Sequence, residues 1–486
     1  MRQLTSLDAQ FLALETNRQS GHVGGLAILD PSTRAGGSIA CADMKTLLEE
    51  RLPLLPPFRW KLVEVPLGLD YPYWIDDPDF DLDFHVRELA LPAPGNQAQL
   101  NEQVARIFSR PLDRARPLWE LYVIQGLDSG YAAVLTKIHH AVIDGLSGAE
   151  VMGLLLDTVP EGRELPEAPS DEAASDGQVP GQMEMLGRGL LGVPRYPLRF
   201  IRSMPRALPN VDDLPATLGA IPGVPTVGRL AGRVQRTLTG SPSLSRPKLA
   251  APKTTFNGRV SAHRRFAFGE MGLDEVKEVK NTYGVTVNDV VVSICAGAVR
   301  RWLIEHGELP DVPLVAQIPV SVRTSEQAGT YGNRILLMSV PFHTDIEDPI
   351  ERLQTTHESL ADMKERHKAL PAELLQDANH FIPPAVFHRA ARLTFRLSTS
   401  GAGRPAWNLV VSNVPGPQSP LYMAGAKLVA NYPVSVITDG MGLNITVMSY
   451  NGRMDYGIVV DRDQMPDVDN LMKWLQEELD ALRPKA

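Results

Sequence analysis

The stretch Ala132-Ala-Val-Leu-Thr-Lys-Ile-His139-His140-Ala-Val-Ile-Asp144-Gly145-Leu-Ser-Gly148 decides how this chain is read. Its apolar start predicts a strand over 132–140, Asp144–Gly145 predicts a turn, and 146–156 predicts a helix with Leu146, Val151, Leu154 and Leu155 on one face. Successive strand side chains point to opposite faces, so His140 shares the face of Val134, Thr136 and Ile138, and His139 that of Lys137. Only one of the two histidines then looks into a given cleft. An imidazole at a strand end can take a proton from a hydroxyl near neutral pH, since its unperturbed pKa is about 6.5. Asp144 is too close in sequence to be a free-standing acid. Its expected role is to brace the turn and fix His140, while Gly145 lets the backbone turn tightly.

Plainer readings stand beside this one. Two histidines can be purely structural. A metal site is disfavoured, because adjacent strand residues diverge and zinc wants three or four protein ligands that no HExxH or cysteine cluster supplies. A serine-nucleophile hydrolase is disfavoured too, since no Gly-x-Ser-x-Gly elbow exists and Ser147 is not placed as one.

The 486 residues are 43% hydrophobic and 22% charged, a globular composition sufficient for two or three domains. A net charge of −9 argues against nucleic acid as a partner. Cys41 and Cys295, far apart in the chain, make no disulfide framework and fit a reducing cytoplasm. The opening MRQLTSLDAQFLALE carries Asp8 and Glu15 and is not a secretory signal. The apolar run Val290–Val299 is far short of the roughly 20 residues that a bilayer crossing needs, so no membrane span is expected. A protein of this kind acting on lipids would work at a membrane surface.

Patterning gives an amino-terminal half, residues 1–158, with helices over 8–14, 42–52 and 99–108 and strands over 22–29, 121–125 and 132–140. A connector, 159–255, begins with a Pro- and acid-rich stretch. It continues through Met183–Leu208, where Arg188, Arg195, Arg199, Arg202 and Arg206 recur among leucines and are interrupted by Pro194, Pro197 and Pro205. That segment reads either as an arginine face lying on anionic headgroups or as an interdomain bridge. The carboxyl half, 256–486, shows helices over 273–282, 286–304, 349–370 and 468–482, with strands over 314–320, 335–342, 409–412, 434–437, 443–449 and 454–460. The fold expectation is mixed α/β, two halves of comparable size.

His139-His140-Ala-Val-Ile-Asp144-Gly145 resembles the HHxxxDG signature of CoA-dependent acyltransferases, which share a two-domain chloramphenicol-acetyltransferase-like architecture. Nearer still, the chain resembles the bacterial wax ester synthase/diacylglycerol acyltransferase family. The resemblance rests on Leu4-Thr-Ser-Leu-Asp8-Ala-Gln-Phe-Leu, Pro117-Leu-Trp119-Glu120, Asn288-Asp289, Gly332-Asn333-Arg334 and Ser412-Asn-Val-Pro-Gly-Pro417. Gly21-His22-Val23-Gly24 stands where the family has Met-His-Val-Gly. These elements follow the family's order over nearly the whole chain, the acidic linker excepted.

The resemblance implies an active site in a tunnel between the two domains, with His140 as general base and Asp144 bracing the motif. His139, Gly145, Asn288 and Asp289 support it. Acyl-CoA is the implied co-substrate, a diacylglycerol or fatty alcohol the acceptor, and triacylglycerol or wax ester the product. No metal and no permanently bound cofactor is expected, nor any covalent acyl-enzyme. The tetrahedral oxyanion needs a donor, for which Asn288, Ser412 and Asn413 are candidates. The implied location is cytoplasmic, peripheral to the inner membrane face or to lipid inclusions. Several motif residues also have structural readings: Trp119 as core, Thr286-x-x-Asp289 as a helix capping box, Arg334 as an interdomain salt bridge beside its reading as a partner of CoA phosphate, His22 as a packing residue. Rival functions are a transferase using a carrier-protein thioester, a transferase for a small polar acceptor, and a non-catalytic lipid-binding protein.

Overall fold

Aliphatic and β-branched runs become strands, and the strands gather into two six-stranded sheets that share one seam. The computed structural model describes residues 1–34, 36–143, 153–166, 180–192, 251–321, 335–368 and 405–484. In chain order the strands of the first half are β1 (Arg2–Gln3), β2 (His22–Asp30), β3 (Trp60–Val63), β4 (Tyr73–Asp76), β5 (Val86–Ala90), β6 (Trp119–Gln125) and β7 (Ala132–His139). Those of the second are β8 (Arg264–Gly272), β9 (Leu314–Ser321), β10 (Ile335–Phe342), β11 (Leu409–Val414), β12 (Tyr422–Met423), β13 (Ala426–Val434), β14 (Leu443–Tyr450) and β15 (Arg453–Asp461). The helices that matter below are α1 (Ser6–Leu14), α2 (Cys41–Arg51), α3 (Leu82–His85), α4 (Gln97–Phe108), α5 (His140–Ile143), α6 (Gln182–Gly192), α7 (Leu273–Tyr283), α8 (Val287–Glu305), α9 (Pro349–Lys368) and α10 (Asp469–Leu482).

One sheet runs β12-β13-β2-β7-β6-β5, the other β10-β9-β11-β14-β15-β8, and β1-β4-β3 form a small third sheet. Late in the chain, β13 leaves the second half and pairs antiparallel with β2, Val434 opposite Gly24. The expected strand over 434–437 is therefore misplaced: it ends at Val434 and extends back to Ala426. Pro433 inside the run, which cannot donate to a ladder, hid it. β13 also crosses β15. A Cβ on Gly457 would lie 1.7 Å from the Pro433 carbonyl oxygen, and the Asn431 amide donates to Asp455 Oδ2 at 2.8 Å.

Among the described residues three large apolar clusters form. One packs α2, Trp119, Val134 and Ile138 of the first half with Met423, Leu428 and Tyr450, and another surrounds α8 in the second. The third joins Leu26, Leu100, Phe108 and Leu135 to Phe266, Tyr432 and Val459, so both halves share a core. Each such side chain contributes about 1.5–3 kcal/mol when fully buried. Within α8 the run Val290–Val299 is buried throughout, and among the described residues no single helix is long and apolar enough to cross a membrane. Cys41 and Cys295 are free thiols.

Candidate active site

The strand β7 lies between β2 and β6, with His139 opposite His22. The expected strand over 132–140 stops one residue early: β7 ends at His139, and His140 opens α5. Face alternation therefore reaches only His139, and the difference between the two histidines comes from the chain reversal. The His139 amide donates to the Leu118 carbonyl at 2.9 Å, whereas the His140 amide donates to the Gly21 carbonyl at 2.8 Å.

His139 is 1% exposed. Its Nδ1 accepts the Ala141 amide at 3.1 Å, which leaves the ring proton on Nε2, 3.2 Å from Glu15 Oε1. Glu15 is the residue that composition and motif reading missed. It also accepts the Gly21 amide at 2.8 Å and two nitrogens of Arg114, at 2.8 and 3.2 Å. Burial alone would push its carboxyl up, but His139, the Gly21 amide and Arg114 outweigh it and hold the group at about 2. Gly21 makes this fit possible, since a Cβ there would lie 2.9 Å from His139 Nε2. Where the resembled pattern has methionine, the absent side chain lets His139 close on Glu15.

His140 is half-buried, and its ring stacks on Phe11 of α1 with centroids 4.0 Å apart and planes 11° from parallel. The helix α1 is set by a capping box in which the Asp8 amide donates to Thr5 Oγ1 and the Thr5 amide to Asp8 Oδ2, both at 3.2 Å.

Two neighbours on the same face prove structural. His22 lies 2.8 Å through Nε2 from the Phe108 carbonyl, and burial, then Lys137, push its pKa well below the ordinary histidine value, so it stays neutral. Lys137 donates to the Ile107 and Arg110 carbonyls at 3.1 and 2.6 Å, closing the end of α4. Burial pushes its amine down to about 8 against the pull of Glu120. Trp119 is core: its Nε1 donates to the Phe58 carbonyl at 2.7 Å and its ring stacks on His85.

Asp144, Gly145 and Arg334 lie outside the described residues, as do most of the helix expected over 146–156, Arg195–Arg206 and the acidic linker. The far end of the motif segment is tied down at Asp157, whose Oδ2 takes a 2.6 Å hydrogen bond from buried Arg51. In the second half, Thr286 and Asp289 form the capping box of α8, and Asp289 also holds His357 Nδ1 at 2.6 Å. Asn288 follows at the start of the same helix, half-buried. Ser412 and Asn413 sit half-buried on β11, opposite Thr446 and Val447 of β14. The pairing of β9 with β11 covers only Leu409 and Val410, so the two strands part before Ser412. Among the described residues no group of three His, Cys, Asp or Glu side chains is placed to hold a metal ion.

Two sheet-based halves joined at a cross-half seam, with the histidine pair at a strand-to-helix junction, make up the two-domain, condensation-like acyltransferase fold. The catalytic-domain model of wax ester synthase/diacylglycerol acyltransferase matches residues 4–291, and the carboxyl-terminal-domain model of the same family matches 331–483. The chain belongs to the wax ester synthase/diacylglycerol acyltransferase family. A Mycobacterium tuberculosis protein bearing the name diacylglycerol O-acyltransferase is 37% identical, over 99% of this chain and 90% of its own. The O-acyltransferase WSD of Acinetobacter baylyi is 33% identical, over 99% and 96%. The wax ester synthase/diacylglycerol acyltransferase of Marinobacter aquaeolei VT8 superposes with a TM-score of 0.67 at 29% identity, covering 99% of this chain and 98% of that one.

Proposed function

We propose that the chain transfers a fatty acyl group from acyl-CoA to a diacylglycerol or long-chain alcohol, with His140 as the base. The observation carrying this is the division of labour in the pair: His139 is sealed against Glu15, while His140 stays partly open. Because Nδ1 of His140 is buried, Nε2 is the nitrogen proposed to meet the acceptor. As Nε2 takes the hydroxyl proton, the oxygen attacks the thioester carbonyl and a tetrahedral oxyanion forms. Its collapse expels the CoA thiolate, which recovers the proton from His140, leaving ester and free thiol. Asn288, Ser412 and Asn413 are the proposed oxyanion and positioning donors, reached through a tunnel between the halves, and Asp144 with Gly145 braces the motif. A fixed donor of this kind contributes about 3 kcal/mol to the transition state.

Water-insoluble substrates place the reaction at a membrane or lipid-inclusion surface on the cytoplasmic side. Support comes from α6, which buries Met185, sets Gly189 against Val65 and Leu69 and Gly192 against Asp70, and leaves Met183, Leu190 and Leu191 outward. Beside it Leu67 is 81% exposed. Replacing Leu190 and Leu191 by Glu is expected to reduce vesicle flotation, and unchanged flotation contradicts this surface. The reaction itself is tested by mixing purified protein with acyl-CoA. Thiol release should require the acceptor and match the ester formed, whereas a stoichiometric burst of thiol without acceptor contradicts direct transfer.

A further inference from the structure

We infer that Phe11 is a positioning residue for His140, fixing the plane of the imidazole and stabilising it once it carries the proton. The inference rests on the assignment of His140 as the base.

The position of Phe11 is set by contacts along the whole of α1. The capping box at Thr5 and Asp8 fixes the start of the helix, and Leu4, one residue before Thr5, donates its amide to the Pro72 carbonyl at 2.9 Å. Ala9, Leu12 and Ala13 are buried, which orients the helix about its axis. Its last carbonyls are taken as well: Arg114 Nη2 donates to Leu12 at 2.6 Å and Gln19 Nε2 to Leu14 at 2.9 Å. Beyond the helix the chain returns through Gly21, whose carbonyl receives the His140 amide. One continuous segment therefore grips His140 twice, by its backbone at Gly21 and by its ring at Phe11.

The ring contact is flat, as that of His85 on Trp119 is, but it lies on the half-buried histidine of the pair. His22 meets Phe108 edge-on, at 69° and 5.2 Å. His140 lies flat on Phe11 at 4.0 Å, a separation that leaves no room for the imidazole to rotate about its own bond to the chain. The flat arrangement also sets the negatively polarised face of the benzene ring against the imidazole. When His140 takes the acceptor proton it becomes a cation over that face, and the attraction strengthens as charge develops. An interaction stronger in the transition state than in the ground state raises kcat rather than lowering KM. An aliphatic side chain of similar size would fill the space without presenting a flat, negatively polarised face to the imidazole.

The test compares Phe11→Leu, Phe11→Met and Phe11→Tyr in the full-length protein with acyl-CoA and a long-chain alcohol. Leu and Met should lower kcat about three- to thirty-fold, the range of a cation–π contact, with both KM values within two-fold of the parent. Tyr, which keeps the ring face, should restore most of kcat. In NMR spectra of histidine-labelled protein the His140 ring protons should lose their ring-current shift in the Leu and Met variants and keep it in Tyr. Unchanged kcat in folded Leu and Met variants, or a Tyr variant as slow as Leu, overturns the inference. Full turnover by His140→Ala would instead overturn the assignment of the base and leave the stacking result to be judged by NMR alone.

Discussion

Glu15→Gln removes one charge from the network behind the histidine pair and keeps its size. The carboxylate sits at about 2 against an ordinary 4.5, although burial alone would raise it. A depressed carboxyl stabilises the fold above its unfolded pKa, and that stability is lost as pH falls through the folded value, here between about pH 4.5 and 2. At about 1.4 kcal/mol per pKa unit, the contribution at pH 7 is on the order of 3 kcal/mol. The Glu15 side chain is 12% exposed, so solvent screens little of this. Urea unfolding of parent and Glu15→Gln should differ by about 2–3 kcal/mol at pH 7 and converge near pH 2, with the variant much flatter across the acid range. The variant should also turn over more slowly, because His139 loses the anion at Nε2. Equal stability at pH 7, or parallel acid titrations, would refute the reasoning.

Asp455 gives the opposite sign. Burial pushes its carboxyl up to about 6 against the Asn431 amide and Arg453. The fold then loses stability as pH rises between about 3.8 and 6, so Asp455→Asn should gain on the order of 2–3 kcal/mol at pH 8 and little at pH 4; melting at both values checks this. Gly21→Ala forces a Cβ to 2.9 Å from His139 Nε2 and 3.4 Å from the Phe11 carbonyl oxygen. It should cost about 1–3 kcal/mol and lower turnover, and an unchanged melting curve and rate would show that the loop gives way freely.

Local signals carried much of the fold. Thr5 and Thr286 each precede an Asp three residues on, and both are capping boxes. Periodicity located α4, α8 and α10 to within a few residues. The failures are non-local. Nothing within the run 426–434 says that it will pair with β2, some four hundred residues earlier, and Pro433 argues against a strand at all. The site follows the same rule. His139 and His140 stand out in the sequence, but strand parity could not separate them, because the chain turns helical at His140. Glu15, Phe11, Gly21 and Arg114 are ordinary residues until folding gathers them, and Arg114 lies 99 positions from Glu15. A glutamate closing the apolar helix α1 is the one hint in the sequence.

The most direct measurement is thiol release from acyl-CoA, in the presence of a long-chain alcohol, by His140→Ala and His139→Ala proteins whose folding is verified by melting. General-base catalysis contributes about 10²–10⁴-fold, so His140→Ala should fall by that factor with its melting temperature nearly intact. His139→Ala should lose stability together with part of its rate, since its partner Glu15 is left buried without it. A folded His140→Ala enzyme within a few-fold of the parent would contradict the account.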